Sequence, residues 1–134
     1  MNSCLALVLL AMMVQSEAGS EPFDGKIAVA YVAVNRAAMT VGGGGDALTK
    51  ALDLEDALLK VLRQPKQFAL NPRVAISESS WLAARIALER LQPDPTRGAD
   101  HFYNPLVHPW PEWYDERYIT MRIGRHAFLK LGGF

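Results

Sequence analysis

Ser16-Glu17-Ala18-Gly19-Ser20-Glu21-Pro22, followed by the apolar run from Phe23 to Asn35-Arg36, is the stretch on which the reading of this chain turns. It sets two carboxylates at a break between two apolar segments. Such a break can hold a carboxylic acid half out of water with a raised pKa. Pro22 disfavours helical geometry at Glu21, so a helix is expected on each side of the break. Upstream, Asn2 or Ser3 caps a first helix that runs to about Ser16, with Gly19 as its stop. That helix is apolar nearly all round, which predicts burial on several sides. Downstream, Ile27, Ala30, Tyr31, Val34 and Ala38 recur at helical spacing between about Pro22 and Ala38, and Ala28, Val29, Val32 and Ala33 cover much of the other side. A second helix so apolar is predicted to be central.

Working outward, the four glycines at 42–45 lack the Lys-Ser/Thr of a phosphate loop, and no strand precedes them, so they read as a surface loop. Asp53 is expected to cap a third helix through about Leu62, with Leu54, Leu58 and Val61/Leu62 on one face and Pro65 ending it. Residues 69–76 read as irregular. Ser77 to Ser80 offer N-caps for a fourth helix over Trp81–Leu91, stopped by Pro93 and Pro95. Asp94 to Tyr118 is crowded with Pro, aromatic and His residues and has little helical periodicity. Tyr118–Met121 and Ala127–Leu131, separated by Arg122-Ile123-Gly124-Arg125, predict a short hairpin. The predicted architecture is α+β and mostly α, with a short β-hairpin near the C-terminus. One domain spans residues 1–134, without repeat or linker.

At 134 residues the chain suits one core, and 50% apolar against 21% charged residues marks it as globular. Fourteen Lys+Arg balance 14 Asp+Glu, so the basic footprint of a nucleic-acid binder is missing and no nucleic-acid partner is expected. Cys4, the single cysteine, cannot form an internal disulfide and reads as a small core residue. The apolar run Cys4 to Val14 is too short for an ordinary membrane span, and no Lys or Arg precedes it as in a secretion signal. Ser16-Glu17-Ala18 does resemble a small-x-small cleavage site, but its use would discard Glu17. A buried first helix without a stable membrane span is the expectation. Export by an N-terminal signal or signal-anchor segment is the alternative.

On residue chemistry alone, Glu17 is either a solvated end-of-helix carboxylate or a catalytic acid, and Glu21 favours the dipole at the start of the second helix. Phe102-Tyr103-Asn104 with Trp110, Trp113 and Tyr114 mix flat apolar faces and hydrogen-bonding edges. That mixture suits a sugar ring, or equally completes a small core. His101, His108 and His126 with Asp100 match no metal-ligand spacing, so neither metal nor cofactor is expected. No Gly-x-Ser-x-Gly elbow is present, and Cys4 lies in the apolar run, which argues against a catalytic thiol.

The segment from Ser16 to Ala30 resembles the E-A-x-x-E-P-x-x-G-x-x-A-V-A signature of the SleB/CwlJ-type cell wall hydrolases, spore cortex-lytic enzymes and their bacterial and phage relatives. The likeness continues through Asn35-Arg36 and Gln67-Phe68. It then takes in Asp94-Pro95-Thr96-Arg97-Gly98-Ala99, His101-Phe102-Tyr103-Asn104-Pro105 and Ile123-Gly124-Arg125-His126-Ala127-Phe128. It implies a small lysozyme-like fold and cleavage of the β-1,4 bond between N-acetylmuramic acid and N-acetylglucosamine, the partner being peptidoglycan glycan strands. The signature's first Glu falls on Glu17, which the resemblance makes the catalytic residue of a lytic transglycosylase. Glu21, Gln67, Phe68, Tyr103, Asn104 and His126 become substrate-binding positions, with a structural role in the hairpin the competing reading for His126. The family setting suggests a monomeric, endolysin-like bacteriolytic enzyme that stays cytoplasmic until another protein releases it to the wall. A water-using muramidase and an inactive glycan-binding or virion module are the alternatives.

Overall fold

Helix α2 (Phe23–Ala38) buries twelve of its 16 residues, and the domain is assembled around it. The computed structural model describes residues 2–41, 46–65, 67–106 and 111–132. Helices α1 (Asn2–Ala18), α3 (Ala47–Arg63) and α4 (Glu78–Glu89) pack against α2, and α3 and α4 each pack against α1 as well. Ala28, Ala30 and Ala33 let neighbouring helices approach closely, while Ile27, Val29, Tyr31, Val32 and Val34 supply the apolar area. The Tyr31 hydroxyl escapes the core by donating to the carbonyl of Gln92.

The apolar circumference of α1 has its predicted consequence, since Leu10, Ala11, Met13 and Val14 are fully buried among three helices. Cys4 departs from expectation. The thiol is exposed in a groove between α3 and α4, beside Leu7, Leu54 and Leu88, rather than in the core. The third helix also starts earlier than the Asp53 reading placed it. Asp46 is the cap, its carboxylate accepting the Thr49 N–H at 2.8 Å. The first half of α3 leaves Leu48 and Leu52 exposed, so only its second half, around Leu58 and Leu62, carries a buried face. The glycines at 42–45 lie outside the described residues. α4 likewise begins earlier than the Trp81 start, on the Ser77 cap, and ends at Arg90 in the left-handed region.

The predicted hairpin exists, one or two residues from the expected bounds, as β2 (Ile119–Ile123) and β3 (His126–Leu129). Gly124 and Arg125 form its turn, with Gly124 at φ +59° where a glycine-first two-residue turn requires it. A third strand, β1 (His101–Tyr103), was not legible in the aromatic tail. It pairs antiparallel with β3, giving the order β1-β3-β2. The central strand β3 is buried throughout, and alternation assigns its faces. Phe128 joins the helical core, whereas Ala127 and Leu129 pack with Tyr103 on the opposite face.

Because α1 is the filling between three helices, deletion there should be felt globally. Leu10→Ala is expected to cost about 3 kcal/mol through lost burial and a cavity, read as a lower midpoint in urea with an unchanged slope. A shift below about 1 kcal/mol would mean that α1 packs loosely.

Candidate active site

The break reads in the structure as it does in the sequence. α1 ends at Ala18, Pro22 adopts extended backbone before α2, and the Glu21 N–H donates to the Ala18 carbonyl at 3.0 Å. Glu17 lies in the last turn of α1 and is partly exposed. Its Oε1 accepts the Ala69 N–H at 3.3 Å. Ser16 Oγ accepts the Asn71 N–H at 3.0 Å, and Gln15 Oε1 accepts both the Ser77 N–H and the Ser80 hydroxyl, at 3.1 and 2.8 Å. Three consecutive polar side chains at the end of an apolar helix therefore fasten the irregular segment 69–77. This gives that segment the hydrogen bonds it cannot make within itself. Lys26, buried on α2, donates to Ser79 Oγ at 2.7 Å and ties the same helix start to α2.

Glu21 turns the other way. It is 8% exposed, and its Oε1 accepts the Arg125 N–H at 2.6 Å and meets His126 Nδ1 at 3.0 Å. Strand alternation explains the meeting, since His126 shares the helix-facing side of β3 with Phe128. Phe102, cross-strand from Phe128, stands edge-on to His126 with centroids 5.3 Å apart, and Phe68 lies 6.1 Å from Phe102. Phe68, Phe102 and His126 thus form a row leading from the segment that touches Glu17 to the carboxylate of Glu21.

Asn35 and Arg36 explain how this row is held. Asn35 Nδ2 donates to Asp94 Oδ2 at 2.8 Å and to the Ala99 carbonyl at 2.9 Å. Asp94 in turn accepts the Thr96 and Gly98 N–H groups, folding 94–99 into a turn. Arg36 donates through Nε and Nη2 to the Asp100 carbonyl, at 3.0 and 2.7 Å, and through Nη1 to Gln67 Oε1 at 3.1 Å. Its guanidinium covers the Phe68 ring at 4.7 Å. Burial lowers the Arg36 pKa, and Asp100 opposes that effect. The sequence reading gave Arg36 no role of its own. The signal was available, because a cation inside so apolar a helix must find partners.

The positions named from sequence fall into separate groups. Glu17, Gln67 and Phe68 adjoin through the segment at 67–69, and Phe68, Phe102, His126 and Glu21 adjoin through the row. Tyr103 lies on the opposite face of the sheet, 5% exposed, against Tyr114 at 5.1 Å and Trp113 at 6.5 Å. Its hydroxyl is buried with no hydrogen-bond partner among the described residues. Asn104 Oδ1 turns back to accept the Leu106 N–H at 3.0 Å. Trp110 and His108 lie outside the described residues. Among the described residues, no three His, Cys, Asp or Glu side chains converge as a metal site would require, and no helix is long and apolar enough to cross a membrane.

Asp100 and His101 give the domain a defined acid sensitivity. Burial would raise the Asp100 pKa. The His101 ring at 2.9 Å and the Leu131 and Gly132 N–H groups, each at 2.9 Å, outweigh it and hold the carboxyl below its ordinary value. Burial lowers the His101 pKa, against the opposing bond to Asp100. Both groups then bind protons more readily unfolded than folded, so stability falls as pH falls. The His101 part begins below its ordinary 6.5 and the Asp100 part below 3.8. The melting temperature is expected to drop between pH 7 and 4, and His101→Gln should flatten the upper part of that drop. An unchanged profile in the variant would mean that His101 does not couple to folding.

Comparison with known proteins agrees with this architecture. The cell wall hydrolase family model matches residues 20–129. The fold is similar to the catalytic domain of the Bacillus cereus SleB protein, at TM-score 0.67 and 25% identity over 93% of this chain and 89% of that one. It is similar also to the catalytic domain of the germination-specific lytic transglycosylase SleB from Bacillus anthracis, at TM-score 0.69 and 24% identity over 93% of each chain. No curated protein matches the sequence significantly. Fold and family match together define a peptidoglycan-degrading enzyme. The chain belongs to the cell wall hydrolase family. The family match takes in Glu21, Gln67, Phe68, Tyr103, Asn104 and His126; it begins at Ser20 and so does not reach Glu17.

Proposed function

We propose that the chain is a lytic transglycosylase that cleaves the β-1,4 bond between N-acetylmuramic acid and N-acetylglucosamine, with Glu17 as its single catalytic carboxyl. One observation carries this reading. Of the two acids at the helix break, Glu21 is buried and engaged by Arg125 and His126, while Glu17 stays partly exposed at the mouth of the break. In the first half-reaction the neutral Glu17 carboxyl gives its proton to the leaving glycosidic oxygen as the C1–O bond breaks. In the second, the Glu17 carboxylate takes the proton of the muramic C6 hydroxyl, whose oxygen closes on C1 to form the 1,6-anhydro ring. Glu17 ends protonated again, and no water is consumed. One carboxyl suffices, unlike the paired carboxylates of ordinary glycosidases. The Ala69 N–H, aimed at Glu17 Oε1, is the donor that steadies the carboxylate between the two steps.

In this reading Gln67 and Phe68, presented by Arg36, line the glycan path beside Glu17, and Asn104 lies farther along it. Glu21 and His126 hold the sheet against the helix break. An endolysin-like setting is supported by the burial of α1, because its removal as a leader would open the core. The test is digestion of purified peptidoglycan with mass spectrometry of the soluble products. Anhydro-muropeptides are the expected result. Reducing muramic ends would make the enzyme a hydrolytic muramidase, and sedimentation with the glycan without release would make it a binding module.

A further inference from the structure

A cavity of about 190 Å³ opens at the tip of the sheet, between the segment after β1 and the β2–β3 turn. Pro105 and Leu106 form one wall; Arg122, Gly124, Arg125 and His126 form the other. Two arginines lining one small cavity are notable in a chain whose formal net charge is zero. Among the described residues neither is ion-paired with a carboxylate: the acids of the other arginine pairs, Glu89 and Asp115, are engaged by Arg85 and Arg117. Arg122 does reach the Tyr114 hydroxyl, which also donates to Glu116. The nearest acid behind the turn is Glu21, and its Oε1 is already taken up by the Arg125 N–H and His126.

The cavity is also fixed in place relative to the helix break. Gly124 backs directly onto Glu21, so closely that a Cβ there would lie 2.7 Å from Oε1. Glu21 is one short turn of chain beyond Glu17. In the transglycosylase reading, a glycan strand bound at Glu17 lies at the same helix break that this turn abuts.

We propose that this cavity is a subsite for a carboxylate of the peptide stem borne by muramic acid, so that the enzyme selects peptide-substituted strands over bare glycan. The proposal rests on the transglycosylase reading for its orientation, but not for its chemistry. The lactyl arm of muramic acid carries a short peptide with free carboxylates. The planar guanidinium fork matches a carboxylate with two parallel hydrogen bonds. Pro105 and Leu106 offer an apolar wall to the peptide backbone, and the opening is too small for a second sugar ring with its substituents. The arginine side chains are exposed, and the bond that secures the turn comes from the Arg125 backbone, so their truncation leaves that bond in place.

The test uses N-acetylmuramyl-L-alanyl-D-glutamate and its diamide, titrated into the full chain while backbone and arginine Nε signals are followed by NMR. The diacid is expected to shift Gly124, Arg125 and His126 saturably, and the diamide to bind roughly tenfold more weakly or not at all. The Arg122→Ala/Arg125→Ala protein should lose the difference between the two ligands, and the Lys versions should restore part of it. Rising salt should weaken the diacid alone. Equal binding of diacid and diamide by the wild type, or shifts away from the turn, would overturn the proposal even if the double variant failed to fold. Absence of turnover on peptidoglycan would remove the catalytic reading and leave this binding result standing. An active enzyme indifferent to the carboxylates would do the reverse.

Discussion

Glu17→Gln is expected to lower the release of anhydro-muropeptides by roughly a thousandfold or more while leaving the melting temperature within a few degrees of wild type. The substitution isolates one property. Glutamine keeps the length and shape of the side chain, and its amide oxygen still accepts the Ala69 N–H, which is 3.3 Å from Oε1 in the wild type. What it cannot do is give up a proton to the leaving oxygen and then recover one from the C6 hydroxyl. Both half-reactions fail together. Glu17→Asp separates chemistry from position, because it retains the acid but withdraws it by one methylene. A displacement of about 1 Å is expected to cost on the order of a hundredfold. The order wild type, then Asp, then Gln is the signature of a positioned acid. If Gln released the same products as wild type, Glu17 would be a solvated helix end, the bland reading its sequence position also allowed.

The helices were legible because their cause is local. Ile27 to Val34 can be placed by period alone, and Asp46, although passed over in favour of Asp53, is an ordinary cap that follows the glycines. The strand β1 was not legible because three residues carry no measurable period, and its existence depends on pairing with β3 some 25 residues away. The same dependence governs the site. Alternation along β1 sends Phe102 toward His126 and Tyr103 to the other face, so two neighbours in one motif part company. No spacing rule reveals this until the strand is known. The Cys4 expectation failed for a related reason: hydrophobicity indicates which residues seek burial but not where neighbouring helices leave a groove open between them. Arg36 carries a signal of its own in the sequence. A buried guanidinium must be satisfied, and the carbonyl of Asp100 and the amide of Gln67 are what satisfy it.

Glu21→Ala is expected to destabilise the domain by about 3–5 kcal/mol, roughly 10–15 °C in melting temperature for a chain of this size. The loss of activity should follow the loss of fold. The carboxylate joins the helix break to the sheet turn, and its removal takes an acceptor away from both the Arg125 N–H and the His126 ring. Glu21→Gln keeps an acceptor oxygen and should lose only about a third of that amount. Gly124→Ala probes the same contact from the other side. Its φ of +59° strains any side chain, and its Cβ would meet Glu21 Oε1 at 2.7 Å. Strain and collision add in the single variant, but once Glu21 is alanine only the strain and a milder 3.3 Å approach to Pro22 Cδ remain. The double variant should therefore be more stable than the sum of the singles allows, by about 1 kcal/mol. Full additivity would mean that the turn does not rest on Glu21. A Glu21→Gln protein that melts like wild type yet releases nothing from peptidoglycan would point to chemistry instead. It would make Glu21 a second working carboxylate and shift the mechanism toward a water-using muramidase.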